Sequence, residues 1–252
     1  MGKDSNWLWA AHGKHPSAKD FFSIGRKFPL LSDFSEWIKR GYPPLAERGK
    51  QAVRGYSWRF WARGGVKGEL VCGLLRDSHD CFGRPYPLLI MGTGLLPCWE
   101  EHWELLPEVC ERLWCRIEFV SSRGFGVLGE LEKELEKIRP PDPVWSGFGS
   151  IPSGTTAGES GSSLAPQIRE RYAQEARHAC DKEMGCISFG NDDANDIHSL
   201  IMHLNSVLKT NFVKAPNTLF IGGTNNETAL FFFRRPMRPD DLLTLWGVQP
   251  GN

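Results

Sequence analysis

Leu70-Val71-Cys72-Gly73-Leu74-Leu75 and Leu88-Leu89-Ile90-Met91 are two apolar runs separated by a single polar stretch, residues 76–85, reading Arg76-Asp77-Ser78-His79-Asp80-Cys81-Phe82-Gly83-Arg84-Pro85. Short apolar runs bounded by Gly, Pro, Asp and Ser are what buried strands and their connecting loops look like. The segment therefore predicts two strands with one polar loop at their end. Just upstream, Tyr56-Ser57-Trp58-Arg59-Phe60-Trp61 is strand-like and reaches the first run through Gly64-Gly65, a hairpin signal. Strand alternation puts Tyr56, Trp58 and Phe60 on one face and Ser57, Arg59 and Trp61 on the other. A half-buried strand accounts for this mixture of bases and aromatics as well as a single-strand nucleic-acid platform would, so nucleic acid is not expected as a partner.

Outward from this centre, Trp7-Leu8-Trp9-Ala10-Ala11 reads as a first strand, leading through a loop at Gly13 to Asp20-Phe21-Phe22. Ser32 or Asp33 is placed to cap a helix through Trp37 and Ile38 that stops at Gly41, before Pro43-Pro44. Toward the carboxy terminus, Trp99, Trp103, Leu106, Cys110, Leu113 and Trp114 recur at helical spacing and predict a helix over about 98–115. Ile117-Glu118-Phe119-Val120 is strand-like, and Leu128, Leu131, Leu135 and Ile138 form the apolar face of a surface helix ended by Pro140-Pro141. Residues 140–166 are dense in Gly, Ser and Pro and predict a flexible loop. A helix over Ala165 to Ala179, a strand at Gly185 to Phe189 and a helix near Ala194 to Leu208 follow. Asn217 to Gly222 and Thr228 to Arg234 then form a hairpin turned at 223–227. Strands followed by helices, twice, predict a mixed α/β sandwich in a single domain over 1–252.

With 252 residues, 40% of them hydrophobic and 24% charged, the chain has apolar content for a sizeable core and is not disordered as a whole. Thirty basic residues balance thirty acidic ones, which argues against a dedicated nucleic-acid binder. The balance is local, however: residues 1–70 hold 13 Lys or Arg against 6 Asp or Glu, a net of +7 that leaves −7 for the rest. Such polarity suits a partner-binding face. Seven cysteines, odd in number, without a CxxC and in settings such as Leu113-Trp114-Cys115, favour free buried thiols in a reducing cytosol over disulfides or zinc. The start, Met1-Gly2-Lys3-Asp4-Ser5-Asn6, has no signal-peptide core, and no apolar run reaches membrane-spanning length. A cytoplasmic protein without membrane insertion is expected.

Motifs that carry chemistry are few. Gly124-Phe125-Gly126-Val127-Leu128-Gly129 is a literal GxGxxG between a strand-like run and a helix. Four glutamates crowd that helix where a pyrophosphate needs positive potential, so a packing turn is the better reading and no cofactor is expected. Asp77, His79, Asp80 and Cys81 gather potential ligands, but loop side chains this close in sequence rarely converge, and a polar turn is preferred to a metal or acid/base site. Asn191 to Asp196 lacks the spacing, Gly and terminal Glu of a calcium loop. GxSxG, P-loop and HExxH signatures are absent.

Two ordered motifs point to a family. Gly13-Lys14-His15-Pro16-Ser17-Ala18-Lys19-Asp20-Phe21 resembles the opening G-K-x-P-x-x-G-D-F of the TagF (ImpM) family of bacterial type VI secretion-associated proteins. Ser78-His79-Asp80-Cys81-Phe82-Gly83-Arg84-Pro85-Tyr86-Pro87-Leu88 resembles its second signature, S-x-D-x-x-G-R-x-[YF]-P-L. Thr218-Leu219-Phe220-Ile221, a turn and Leu230-Phe231-Phe232-Phe233 are similar to the family's S-L-W-W hairpin, with Lys19 in place of the usual Gly and Phe220-Ile221 in place of the Trp pair. The resemblance implies a three-layer α/β/α sandwich, with a central mixed sheet expected here. It implies a non-catalytic cytoplasmic regulator, without cofactor or metal, that restrains type VI assembly after translation by engaging the forkhead-associated scaffold protein. Gly13, Lys14, Pro16, Asp20, Phe21, Ser78, Asp80, Gly83, Arg84, Tyr86 and Pro87 then form partner-binding or shape-holding loops, and the basic amino-terminal third contributes to the contact. Arg84 is expected to clamp Asp80 or Asp20 as a bidentate ion pair. The alternative is a small-ligand or metal-binding enzyme or sensor built on Asp77, His79 and Asp80.

Overall fold

The structure, a computed structural model, describes residues 7–48, 55–143, 145, 166–190 and 197–247. Its strands are β1 (Leu8–Gly13), β2 (Phe22–Gly25), β3 (Ser57–Arg63), β4 (Glu69–Arg76), β5 (Leu88–Leu95), β6 (Met184–Phe189), β7 (Thr218–Gly223) and β8 (Thr228–Phe233). Its α-helices are α1 (Pro29–Arg48), α2 (Leu106–Val109), α3 (Glu111–Ser122), α4 (Leu128–Glu136), α5 (Pro166–Ala179), α6 (Ile197–Asn211) and α7 (Pro239–Leu245).

The eight strands form one sheet in the order β2-β1-β5-β4-β3-β7-β8-β6. Every neighbouring pair is antiparallel, which corrects the expected mixed sheet. The reason lies in the connections. Parallel neighbours need a helical crossover between adjacent strands. Here the helical connections, β2 to β3, β5 to β6 and β6 to β7, all join strands that are not neighbours. The adjacent strands that follow one another in sequence are joined by turns and loops that reverse the chain.

Period-two alternation gives the sheet two apolar faces. Trp58 and Phe60 of β3 and Val71 and Leu75 of β4 cluster with Phe34 and Ile38 of α1 and Leu242 and Leu245 of α7. Trp61, Leu70, Cys72 and Leu74 belong to the other cluster, with Trp114 of α3, Leu131 of α4, Tyr172 of α5 and Leu204 of α6. The expected facing of β3 holds: Trp61 packs 5.5 Å from Trp99, and Arg59 on the same side pairs with Glu118 at 2.6 Å and Glu111 at 2.7 Å.

Helix boundaries depart from expectation where packing overrides local signals. α1 begins at Pro29 and runs through Gly41, Pro43 and Pro44 to Arg48, so Ser32 and Asp33 lie inside the helix. The prolines deprive the carbonyls of Lys39 and Arg40 of helix donors, but both residues are exposed to solvent. Beyond the prolines Leu45 is buried, and Gly41 approaches α7 so closely that a Cβ would lie 2.6 Å from the Pro239 carbonyl oxygen. The stripe over 98–115 is buried as expected, yet it consists of two 3₁₀ turns, Trp99–Glu101 and Trp103–Leu105, then α2 and the start of α3. Ile117 to Val120 continue α3 and are no strand, since Leu113, Ile117 and Val120 share its buried face. α7 was not expected, although Pro239 followed by Asp240-Asp241 is a helix-start signal. All seven cysteines are free, but Cys81, Cys98, Cys115 and Cys186 are exposed, which corrects the expectation of buried thiols; Cys115 occupies the solvent side of α3. Most of the expected 140–166 loop, from 146 to 165, lies outside the described residues, as does Asn191 to Asp196. No helix among the described residues is long and apolar enough to cross a membrane.

Candidate functional site

β1 and β5 are neighbours with Gly13 opposite Leu88, so the loop after β1, residues 14–21, and the loop before β5, residues 77–87, meet at one end of the sheet. Gly13 has φ +125°, and a Cβ there would lie 2.1 Å from the Pro87 carbonyl oxygen. Only glycine permits this approach. It delivers Lys14, which is buried, to the centre of the second loop, where its Nζ lies 3.0 Å from Asp80 Oδ2 and 3.4 Å from the Arg84 carbonyl oxygen.

Asp80 is the hub. Its side chain is wholly buried, and Oδ1 accepts the backbone amides of Phe82 and Arg84, each at 3.0 Å, while Oδ2 takes Lys14 and Arg84 Nε, the latter at 2.7 Å. Burial alone would raise its pKa. The bonds from Lys14 and Arg84 and from the Phe82 amide outweigh that and hold the carboxyl well below the usual range. Arg84 also donates from Nη2 to the Lys19 carbonyl at 2.7 Å and stands 3.6 Å from Asp20 Oδ1. The expected clamp thus exists, but it spans Asp80, a carbonyl and Asp20 instead of gripping one carboxylate with two nitrogens.

The surrounding residues hold the loops in shape. Cys81 N donates to the Ala18 carbonyl, Gly83 N to that of Asp80 with Gly83 at φ +76°, and Tyr86 N to that of Ser78. The buried Tyr86 ring meets Phe21 and Tyr42 edge-on, each at 4.6 Å, and burial with the nearby Tyr42 pushes its hydroxyl pKa up to about 12. Tyr42 Oη donates to the Pro85 carbonyl at 2.7 Å. Pro16 is exposed in the first loop, where Ser17 Oγ accepts the Phe125 amide and donates to the Phe125 carbonyl. His15 is buried beside Phe125, and desolvation, reinforced by Arg76 and His79, lowers its pKa. Phe21 and Phe82 point outward, 55% and 67% exposed.

The structure does not bring Asp77, His79 and Asp80 together. Asp77 accepts the Tyr56 amide at 2.9 Å and Trp246 Nε1 at 2.7 Å, tying the strand end to α7. His79 Nδ1 pairs with the Asp80 carbonyl at 2.8 Å. Among the described residues no group of three or more His, Cys, Asp or Glu could hold a metal ion. A carboxylate held ionised by four donors is ill suited to general acid or base work. The GxGxxG follows α3, a helix, and the Gly126 amide donates to Glu130 Oε2 at 3.0 Å, so the turn has a carboxylate where a phosphate would sit.

Sequence reasoning placed Gly13, Asp20, Asp80 and Arg84 in the site but assigned no charge partner to Lys14 and gave no place to Phe82. A lysine directly after a strand-end glycine, and an aromatic inside a polar loop, were the available signals.

Residues 10–121 match the TagF N-terminal domain, described as type VI secretion system-associated. The match starts in β1 and ends in α3, and it contains both loops. No curated protein matches the chain. The crystal structure of PA0076 from Pseudomonas aeruginosa PAO1 shares the fold, with a TM-score of 0.53 and 16% identity over 97% of this chain and 96% of that one. With both signature loops inside the matched span, residues 10–121 make up a TagF N-terminal domain, of the kind associated with type VI secretion.

Proposed function

We propose that this chain acts in the cytoplasm without catalysis, restraining type VI secretion assembly after translation by binding the forkhead-associated scaffold protein. The observation that carries the reading is the state of the signature loops: Asp80 is spent on Lys14, Arg84 and two amides, which favours holding a surface in shape over performing a reaction. The family assignment supports the setting, and the net charge of +7 over residues 1–70 supports a contact through the basic amino-terminal third. We read the helices, α1 and α7 with one face of the sheet and α3 to α6 with the other, as the outer layers of a three-layer sandwich. The sensor alternative has no observation in its favour, because Asp77, His79 and Asp80 are each committed elsewhere.

The test is co-purification with the scaffold from a type VI-positive bacterium, repeated at raised salt and with Arg26→Glu and Lys27→Glu. Both residues are exposed just beyond β2. We expect recovery that weakens with salt and with charge reversal. Failure to recover the scaffold refutes the partner; recovery indifferent to both changes refutes the basic face.

A further inference from the structure

We infer that Phe21, Phe82 and Arg84 form one docking face for a partner protein whose contacting surface is apolar and acidic, a refinement that rests on the partner-binding reading above. Two large aromatic rings stand in water, 55% and 67% exposed, on loops pinned by a buried ion pair. They belong to one surface. The Arg84 guanidinium lies 5.4 Å from the centroid of the Phe82 ring, while its Nη2 reaches the Lys19 carbonyl and stands 3.6 Å from Asp20, the residue before Phe21. On the other side Lys14 Nζ lies 4.8 Å from the centroid of the Phe21 ring.

The charge of this face selects its partner. Asp80 is neutralised within the protein, which leaves Asp20 facing outward against Lys19 and Arg84, with exposed Arg123 beside Phe125 on the loop joined to Ser17. Three cations, Lys19, Arg84 and Arg123, against two carboxylates, Asp20 and the Glu130 that accepts the Gly126 amide, leave the face net positive and favour a negative surface, and two rings on rigid loops need apolar sockets. Aromatic side chains and arginine at the centre of a contact carry most binding energy, and pre-set loops lose little entropy on docking. A membrane is a poorer fit, since the face lacks an amphipathic helix or a dense polybasic run.

The test measures binding of the full chain to the purified scaffold, with Phe82→Ser, Phe82→Leu and the double variant Phe21→Ser/Phe82→Ser. We expect at least tenfold weaker binding for Phe82→Ser, about hundredfold for the double variant, near-normal binding for Phe82→Leu, and an unchanged melting temperature for Phe82→Ser. Normal binding by the double variant overturns the face and leaves the regulatory reading standing. If the unaltered chain does not bind the scaffold, the regulatory reading falls, and a photo-crosslinking residue at position 82 in the bacterium decides the face. A crosslink to another identified secretion component, through a segment rich in Asp, Glu and apolar residues, supports it. Absence of any crosslink, or Phe82-dependent sedimentation with phosphatidylserine vesicles, overturns it.

Discussion

Asp80 shows how a buried charge can be kept ionised: it is removed from water, yet each oxygen takes two donors, so the ionised form is favoured. The consequence is acid sensitivity. Its pKa is lower in the folded chain than the roughly 3.9 of an unfolded aspartate, so its contribution to stability is present above that value and is lost as the pH falls toward the folded value. We expect Asp80→Asn to lower the melting temperature at pH 7, with the gap to the unaltered protein closing progressively below about pH 4. Thermal denaturation from pH 7 to 2.5 measures this, and a gap that stays constant across that range would show that the charge contributes nothing. The arginine partner was legible because Arg84 lies four residues from Asp80. Lys14 was not: 66 positions separate it from Asp80, and only the pairing of β1 with β5 joins them.

At the scale of elements, α7 illustrates an end fixed by one side chain. Asp241, buried, accepts Arg235 Nη1 at 2.7 Å and Nη2 at 2.8 Å, and it also takes the Arg238 amide at the start of the helix. Trp37 Nε1 of α1 donates to the Arg238 carbonyl at 2.8 Å, so the start of α7 and the middle of α1 are one joint. Asp241→Ala leaves the largely buried Arg235 without its carboxylate and removes the cap. The expected loss is about 3–5 kcal/mol by urea denaturation, and a loss below about 1 kcal/mol would place the pair effectively in solvent. The same joint explains the misjudged end of α1: Gly41 and Pro43-Pro44 are stop signals in isolation, but burial of Leu45 and close packing on α7 carry the helix through them.

For the whole molecule, the seam is the pairing of β3 with β7, where five strands from the first half of the chain meet three from the second. Both apolar clusters cross it: Trp61 and Leu131 share one with Leu204 and Phe232, and Phe60 shares the other with Phe220 and Leu242. A fragment of residues 1–143 would contain the matched 10–121 span yet bare the β3 edge and half of each cluster. We expect it to oligomerise or precipitate and to lack a cooperative thermal transition; a monomer melting like the full chain would show that the seam binds nothing essential. The sequence by itself determined what depends on neighbours a few residues apart. Alternation and turn residues set β3, β4 and the β7–β8 hairpin, and the 3.6-residue period set α4. The resemblance to the family signatures carried Gly13 and the 78–88 motif, because a motif is local by construction. Only the tertiary structure decided the strand order, the uniform antiparallel pairing, the helical state of Ile117 to Val120 and the Lys14–Asp80 contact. Backbone ladders bond alike whichever strand lies alongside, so the choice of neighbour falls to the distant side chains that bury each face of the sheet, and no short stretch of sequence records it.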